Sequence, residues 1–186
     1  MTNTLHRQGT RESLARDYII FATPATGYNE KKAVERRAEF IRIAKKYNPV
    51  NTSDYLAVFT DLESLRAVIR ELIDADLGIS INTSALLDDV DTCCRQVSIT
   101  RHSIEHSLGV KGQIDRLPSR EVLELSTMCG HGLISSNLIN KMLELVKLGK
   151  LTSAQAAQYL SEPCVCGAFN PTRAEEKLEQ LKRGIV

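Results

Sequence analysis

Between residues 17 and 84 the chain alternates short, unbroken apolar runs with longer stretches whose apolar positions recur every three or four residues. "DYIIFAT" (17–23) and "YLAVFT" (55–60) are of the first kind, rich in β-branched and aromatic residues and closed by turn or cap residues. "GISINTS" (78–84) sets Ile79 and Ile81 against Ser80 and Asn82, the pattern of a strand with one polar face. The spacing predicts helices over about 29–47, with Val34, Ala38, Ile41 and Ala44 on one face and Asn29 as N-cap, and over about 61–77, with Leu65, Val68, Ile69, Leu72 and Ile73 on one stripe.

Strand, helix, strand, helix, strand describes a small α/β sheet, parallel if each helix is a right-handed crossover. An antiparallel, ferredoxin-like α+β arrangement with a fourth strand is the alternative. A long helical pattern then runs from Leu86 to Leu108, with Val90, Cys94, Val97, Ile104 and Leu108 on its apolar side. A connection holding Gly and Pro covers 109–118, and "REVLELST" (120–127) fits a strand or a short helix equally. The C-terminal third is sharply punctuated. A helix from Ser135 or Ser136 places Ile139, Met142, Leu143 and Val146 on one face and stops at Gly149 in the C′ position. "TSAQ" (152–155) is a capping box opening a helix to about Ser161, which Pro163 prevents from continuing. "NPTRAEE" opens a third helix, with Asn170 as N-cap, Pro171 at N1, and Ala174, Leu178 and Leu181 buried. The expected organisation is a polar arm (1–16), an α/β domain (17–118) and a helical hairpin subdomain (119–186).

Composition narrows the function classes. A net charge of +1 supplies no field toward nucleic acid or anionic lipid, and 5% aromatics with no Trp leaves little to stack on bases. No export signal and no apolar run of membrane-spanning length are seen, so a soluble, cytoplasmic protein is expected. The five cysteines are odd in number and clustered, which in that setting points to metal or thiol chemistry rather than disulfides.

That chemistry concentrates in two segments. "CGHGLISS" (129–136) and "CVCGAFNP" (164–171) share one pattern: Cys, any residue, His or Cys, Gly, two apolar residues, then a helix N-cap. Cys129 matches Cys164, His131 matches Cys166, Gly132 matches Gly167, and Ser135 matches Asn170. In an extended or turn segment positions one and three point the same way, so each turn offers two ligands to one side, and the following glycine allows positive φ. Helices of about 18 Å and 14 Å at 1.5 Å per residue, joined by a short loop, bring the two turns together at the open end of a hairpin. The product is a Cys₃His set of Cys129, His131, Cys164 and Cys166. Such a set suits zinc, and equally an iron–sulfur cluster held by thiolates and one histidine. Turn N–H groups and helix N-termini favour anionic sulfur there.

"MCGHG" (128–132) resembles the segment that carries an acid/base cysteine in proline-racemase-type enzymes. The resemblance covers five residues, and those enzymes use a longer, two-lobed chain whose second cysteine segment has no counterpart here. It implies that the Cys129 thiolate would exchange a substrate's α-proton, with His131 beside it.

Other candidates carry less. Cys94 lies on its helix's apolar stripe and reads as core, with Cys93 at the margin as an extra ligand or resolving thiol. His102 and His106, at i and i+4, could join a metal if a third group met them. The basic face of helix 29–47 reads as solvated. Loops after parallel strands would line a small-molecule crevice with Thr23, Thr26, Asp61, Asn82 and Thr83.

The reading is thus a cytoplasmic metal- or iron–sulfur-binding protein with a redox or sensing role. A thiol-dependent enzyme using Cys129 as acid/base or nucleophile and a zinc-stabilised interaction module are the alternatives. A redox partner protein, a small-molecule ligand or a second copy of the chain are the partners it admits. Neither a membrane nor nucleic acid is among them.

Overall fold

The computed structural model describes residues 7–25, 27–105, 107 and 109–184. Thr26, His106 and Leu108, named above for the crevice, the histidine pair and the helix stripe, lie outside the described residues. Two compact units emerge, one of residues 11–103 and one combining 7–10 with the chain from 104 onward.

In the first unit a single helical turn, α1 (Arg11–Leu14), precedes β1 (Tyr18–Thr23). A 3₁₀ turn (Glu30–Lys32), α2 (Ala33–Lys45), β2 (Asn51–Thr52), β3 (Leu56–Phe59), α3 (Leu62–Ala75), β4 (Ser80–Ser84) and α4 (Leu87–Gln96) follow. The strand order is β2-β3-β1-β4, and every neighbouring pair is antiparallel. Ile20 of β1 stands opposite Ala57 of β3 and Thr83 of β4. This is the βαββαβ topology of the ferredoxin-like arrangement, so the antiparallel alternative is the one the chain adopts and the parallel sheet is corrected. Each helix skips a strand: α2 leads from β1 past β3 to β2, and α3 leads from β3 past β1 to β4. The strand added to the three expected ones is β2, two polar residues, too short and too hydrophilic to show a period.

One sheet face and two helices make the core. Tyr18, Ile20, Ala22, Ala57 and Phe59 pack against Phe40, Ile43 and Ala44 of α2 and Leu65, Val68, Ile69 and Leu72 of α3. Full burial of each large side chain contributes about 1.5–3 kcal/mol. The buried face of α2 differs from expectation, since Val34 is 82% exposed and Phe40, a larger apolar payload, turns inward with Ile43 and Ala44. Asn29 does not cap through its side chain either. Its Oδ1 accepts from Ala25 N–H at 2.7 Å and its Nδ2 donates to Gly78 O at 2.7 Å, tying two loops.

The predicted helix 86–108 ends at Gln96. Ser98 adopts φ 60°, its N–H donates to Arg95 O at 3.2 Å, and Ile99 N–H donates to Cys94 O at 3.0 Å. That pair of bonds is a Schellman stop built on serine in place of the glycine that would have announced it. His102 consequently lies outside any helix, and the i, i+4 pairing has no helical face to share. Cys93 and Cys94 are both buried, with Cys93 wholly inside the core cluster rather than at a margin. Burial pushes the Cys93 thiol up to about 11, which makes it inert as a nucleophile.

The second unit is helical. A 3₁₀ turn (Ile114–Arg116) leads to α5 (Arg120–Ser126), α6 (Ser136–Lys147), α7 (Ser153–Ser161) and α8 (Pro171–Lys182). The ambiguous 120–127 stretch is therefore a helix, capped by Ser119. Gly149 takes φ 68° past α6, with Gly149 N–H on Val146 O and Lys150 N–H on Leu145 O, again a Schellman stop. Thr152 and Gln155 complete the capping box on α7, and Asn170 Oδ1 accepts from Arg173 N–H at 3.0 Å to start α8. Thr152→Ala removes half of that box and should cost about 1 kcal/mol in a urea unfolding midpoint, with m unchanged. Leu125, Ile134, Ile139, Val146, Leu160, Phe169 and Leu178 are fully buried between these helices. Among the described residues no helix is long and apolar enough to cross a membrane.

Candidate metal centre

The first ligand turn leaves α5 and the second leaves α7, and the packing of α5 on α6, α6 on α7 and α7 on α8 brings them to one place. Ligand atoms of Cys129, His131 and Cys166 all lie within 4.8 Å of one another, a group of three that does not include Cys164, the fourth expected ligand. Cys164 Sγ is 3.4 Å from Cys166 Sγ and also accepts a hydrogen bond from the Cys129 thiol. All five cysteines of the chain are free.

Local backbone chemistry explains the arrangement. Gly132 and Gly167, the matched glycines, both take positive φ, at 66° and 75°. A side chain there would strain the turn, so glycine is what lets the chain reverse just after its ligands. Cys164 and Cys166 are buried while Val165 between them is 86% exposed, in a turn closed by Gly167 N–H on Cys164 O at 3.1 Å. In the first turn Cys129 is completely buried but His131 is exposed.

The sulfurs are supplied with donors. The N–H of His131 bonds Cys129, those of Phe169 and Ala168 bond Cys164, and Ala168 N–H also lies 3.4 Å from Cys166 Sγ. These are turn N–H groups. The first-turn donors of α6 and α8 are answered instead by the Ser135 and Asn170 side chains, so N–H groups of the turns, rather than capped helix ends, meet the sulfurs.

Ionisation of the trio is shared. Hydrogen bonds received from Cys129 and Cys166, with the turn N–H groups, hold the Cys164 thiol far below its ordinary value against the effect of burial. Hydrogen bonding with Cys164 and with Cys166, together with burial, pushes the Cys129 thiol far up. At Cys166 the bond from Cys129 lowers the value, and the bond it makes to Cys164 and its burial outweigh that. The three thiols therefore titrate as one coupled group, and a soft divalent cation can take the place of their protons. Cys129 is fully buried, whereas an acid/base cysteine has to meet its substrate, so the geometry adds nothing to the enzyme reading of "MCGHG".

The sheet-edge crevice does not form, because an antiparallel sheet has no common carboxyl edge. Asp61 caps α3, accepting from Ser64 N–H at 2.7 Å and Ser64 Oγ at 2.9 Å, and Asn82 donates to Thr23 Oγ1 at 3.1 Å. Thr83 pairs with Ile20 in the β1–β4 ladder.

A buried charge network supports the centre and was not anticipated. Glu124, on α5 before the first turn, meets Arg173 at 2.8 Å and Lys177 at 2.8 Å, both on α8 after the second turn. Glu124 and Arg173 are essentially inaccessible. Arg173 also donates to Gln8 O at 3.4 Å, Gln8 N–H donates to Thr127 Oγ1 at 2.9 Å, and Arg7 Nε donates to Met128 O at 3.0 Å. Residues 7 and 8, expected to be part of a polar arm, thus fasten the backbone next to Cys129. A carboxylate three residues ahead of "TMC" and two cations four apart on the last helix are the only sequence signals, and neither shows burial by itself.

Compared with protein-family models, with curated proteins and with solved structures, the chain matches none.

Proposed function

We propose that this protein binds a single zinc ion through Cys129, His131, Cys164 and Cys166, and that the ion joins the α5–α6 turn to the α7–α8 turn. The carrying observation is the closeness of the donors, with Cys129, His131 and Cys166 inside 4.8 Å and Cys164 3.4 Å from Cys166. Four ligands on one tetrahedral ion with Zn–S of about 2.3 Å stand about 3.8 Å apart. A [2Fe–2S] cluster seats two ligands on each iron and sets the two pairs well apart, and a [4Fe–4S] cluster gives each iron one ligand, so three or more donors this close support one ion over a cluster. Zinc has no redox chemistry of its own, which moves the reading from electron transfer to a structural centre that fixes a helical module.

Anaerobic purification followed by metal analysis and a visible spectrum tests this. One zinc per chain and no colour is the expected result. Brown protein with iron and sulfide would replace zinc with a cluster, and a stable, metal-free chain would refute the centre.

A further inference from the structure

We infer that His131 is the exchangeable member of this ligand set, and that a small external thiol takes its place on the ion as a thiolate. The inference rests on the zinc reading above and concerns what the outward side of that ion does.

The four donors are not held equally. Each sulfur is buried and receives at least one turn N–H, from His131 for Cys129, from Ala168 and Phe169 for Cys164, and from Ala168 for Cys166. The His131 ring is exposed and has no hydrogen-bond partner among the described residues. A histidine fixed on a metal ordinarily donates its second ring N–H to a carboxylate or carbonyl, which sets ring orientation and ligand strength. His131 lacks that support. It also sits between two glycines with positive φ, Gly130 at 88° and Gly132 at 66°, and a Cβ added at Gly132 would meet nothing within 4 Å. Its counterpart in the other turn is Cys166, buried and bonded to the backbone. One side of the site is rigid, sulfur-rich and dry; the other is a glycine-flanked loop in water.

Three firm protein ligands and one replaceable position describe a zinc site open to an incoming ligand. Sulfur is the matching donor, since an ion already held by thiolates is served by another soft ligand. An organic thiol fits better than a bare inorganic anion, because Val165 and Leu133, 86% and 49% exposed, put apolar surface on the two ligand turns. In the exchange the zinc–imidazole bond breaks, a zinc–sulfur bond forms, and the thiol proton leaves to solvent. Zinc stays divalent and no electron moves.

The test uses the full chain loaded anaerobically with cobalt(II), whose sulfur-to-metal absorption counts thiolates, and titrated with 2-mercaptoethanol. The band should grow by about a third, from three thiolates to four, at a constant one cobalt per chain. His131→Ala should keep its cobalt and bind the thiol about tenfold more tightly, because the internal competitor is gone. A band that does not change at full cobalt occupancy, cobalt stripped by the thiol, or an alanine variant that binds no tighter would each overturn the exchange while leaving the metal site standing. Failure of the unmodified chain to take up cobalt at all would overturn the metal reading, and the exchange with it.

Discussion

Replacing Cys164 and Cys166 together with serine should abolish zinc binding and lower the melting midpoint of the helical unit. The size follows from linkage. At free zinc a thousandfold above its dissociation constant, binding to the folded state alone adds about 4 kcal/mol. For a unit of this size that corresponds to roughly 15–30 °C, read by far-ultraviolet dichroism beside metal analysis. Since zinc displaces protons from the thiols, the difference between the parent and the variant should shrink as pH falls. A variant with unchanged zinc content and midpoint would show that the four donors share no ion.

Glu124→Gln is expected to cost about 3–5 kcal/mol in urea unfolding, the range for breaking a buried ion pair on one side. The amide keeps the shape but removes the charge that balances Arg173 and Lys177, at side-chain exposures of 2% and 13%. Removing all three charges tests the cause: Glu124→Leu with Arg173→Met and Lys177→Met should recover most of the loss, because no unpaired charge remains buried. A loss below about 1 kcal/mol for the single change would mean that water reaches the network and screens it. Zinc stoichiometry of the folded protein should be the same in both variants, which separates this effect from that of the cysteines.

The helical unit was readable from sequence wherever punctuation and period agreed. Thr152 with Gln155, Asn170 with Pro171, and Gly149 each mark a helix end by side-chain chemistry that acts within a few residues, and each stands where that chemistry places it. The two Cys turns were readable because the pattern occurs twice and the helices between them set its reach. Sheet direction was not, since two helices of similar length can carry the chain to a neighbouring strand or past it, and only the two-residue strand Asn51–Thr52 distinguishes the cases. Ser98 ended a helix that its apolar pattern would have continued, because a left-handed serine leaves no compositional mark. Glu124, Arg173 and Lys177 have the composition of any solvated helix face, and their burial is a property of the packing between α5 and α8.

The bond from Arg173 to Gln8 spans 165 residues of chain. During synthesis at about 5–20 residues per second, residue 8 is made roughly ten to thirty seconds before its partner exists. The sheet unit, contiguous in the chain, can fold in that interval, but the helical unit is a late assembly that closes only when the first-made and last-made segments meet. Cys129 is therefore made before Cys164 and Cys166, its neighbours in the folded unit, have been translated.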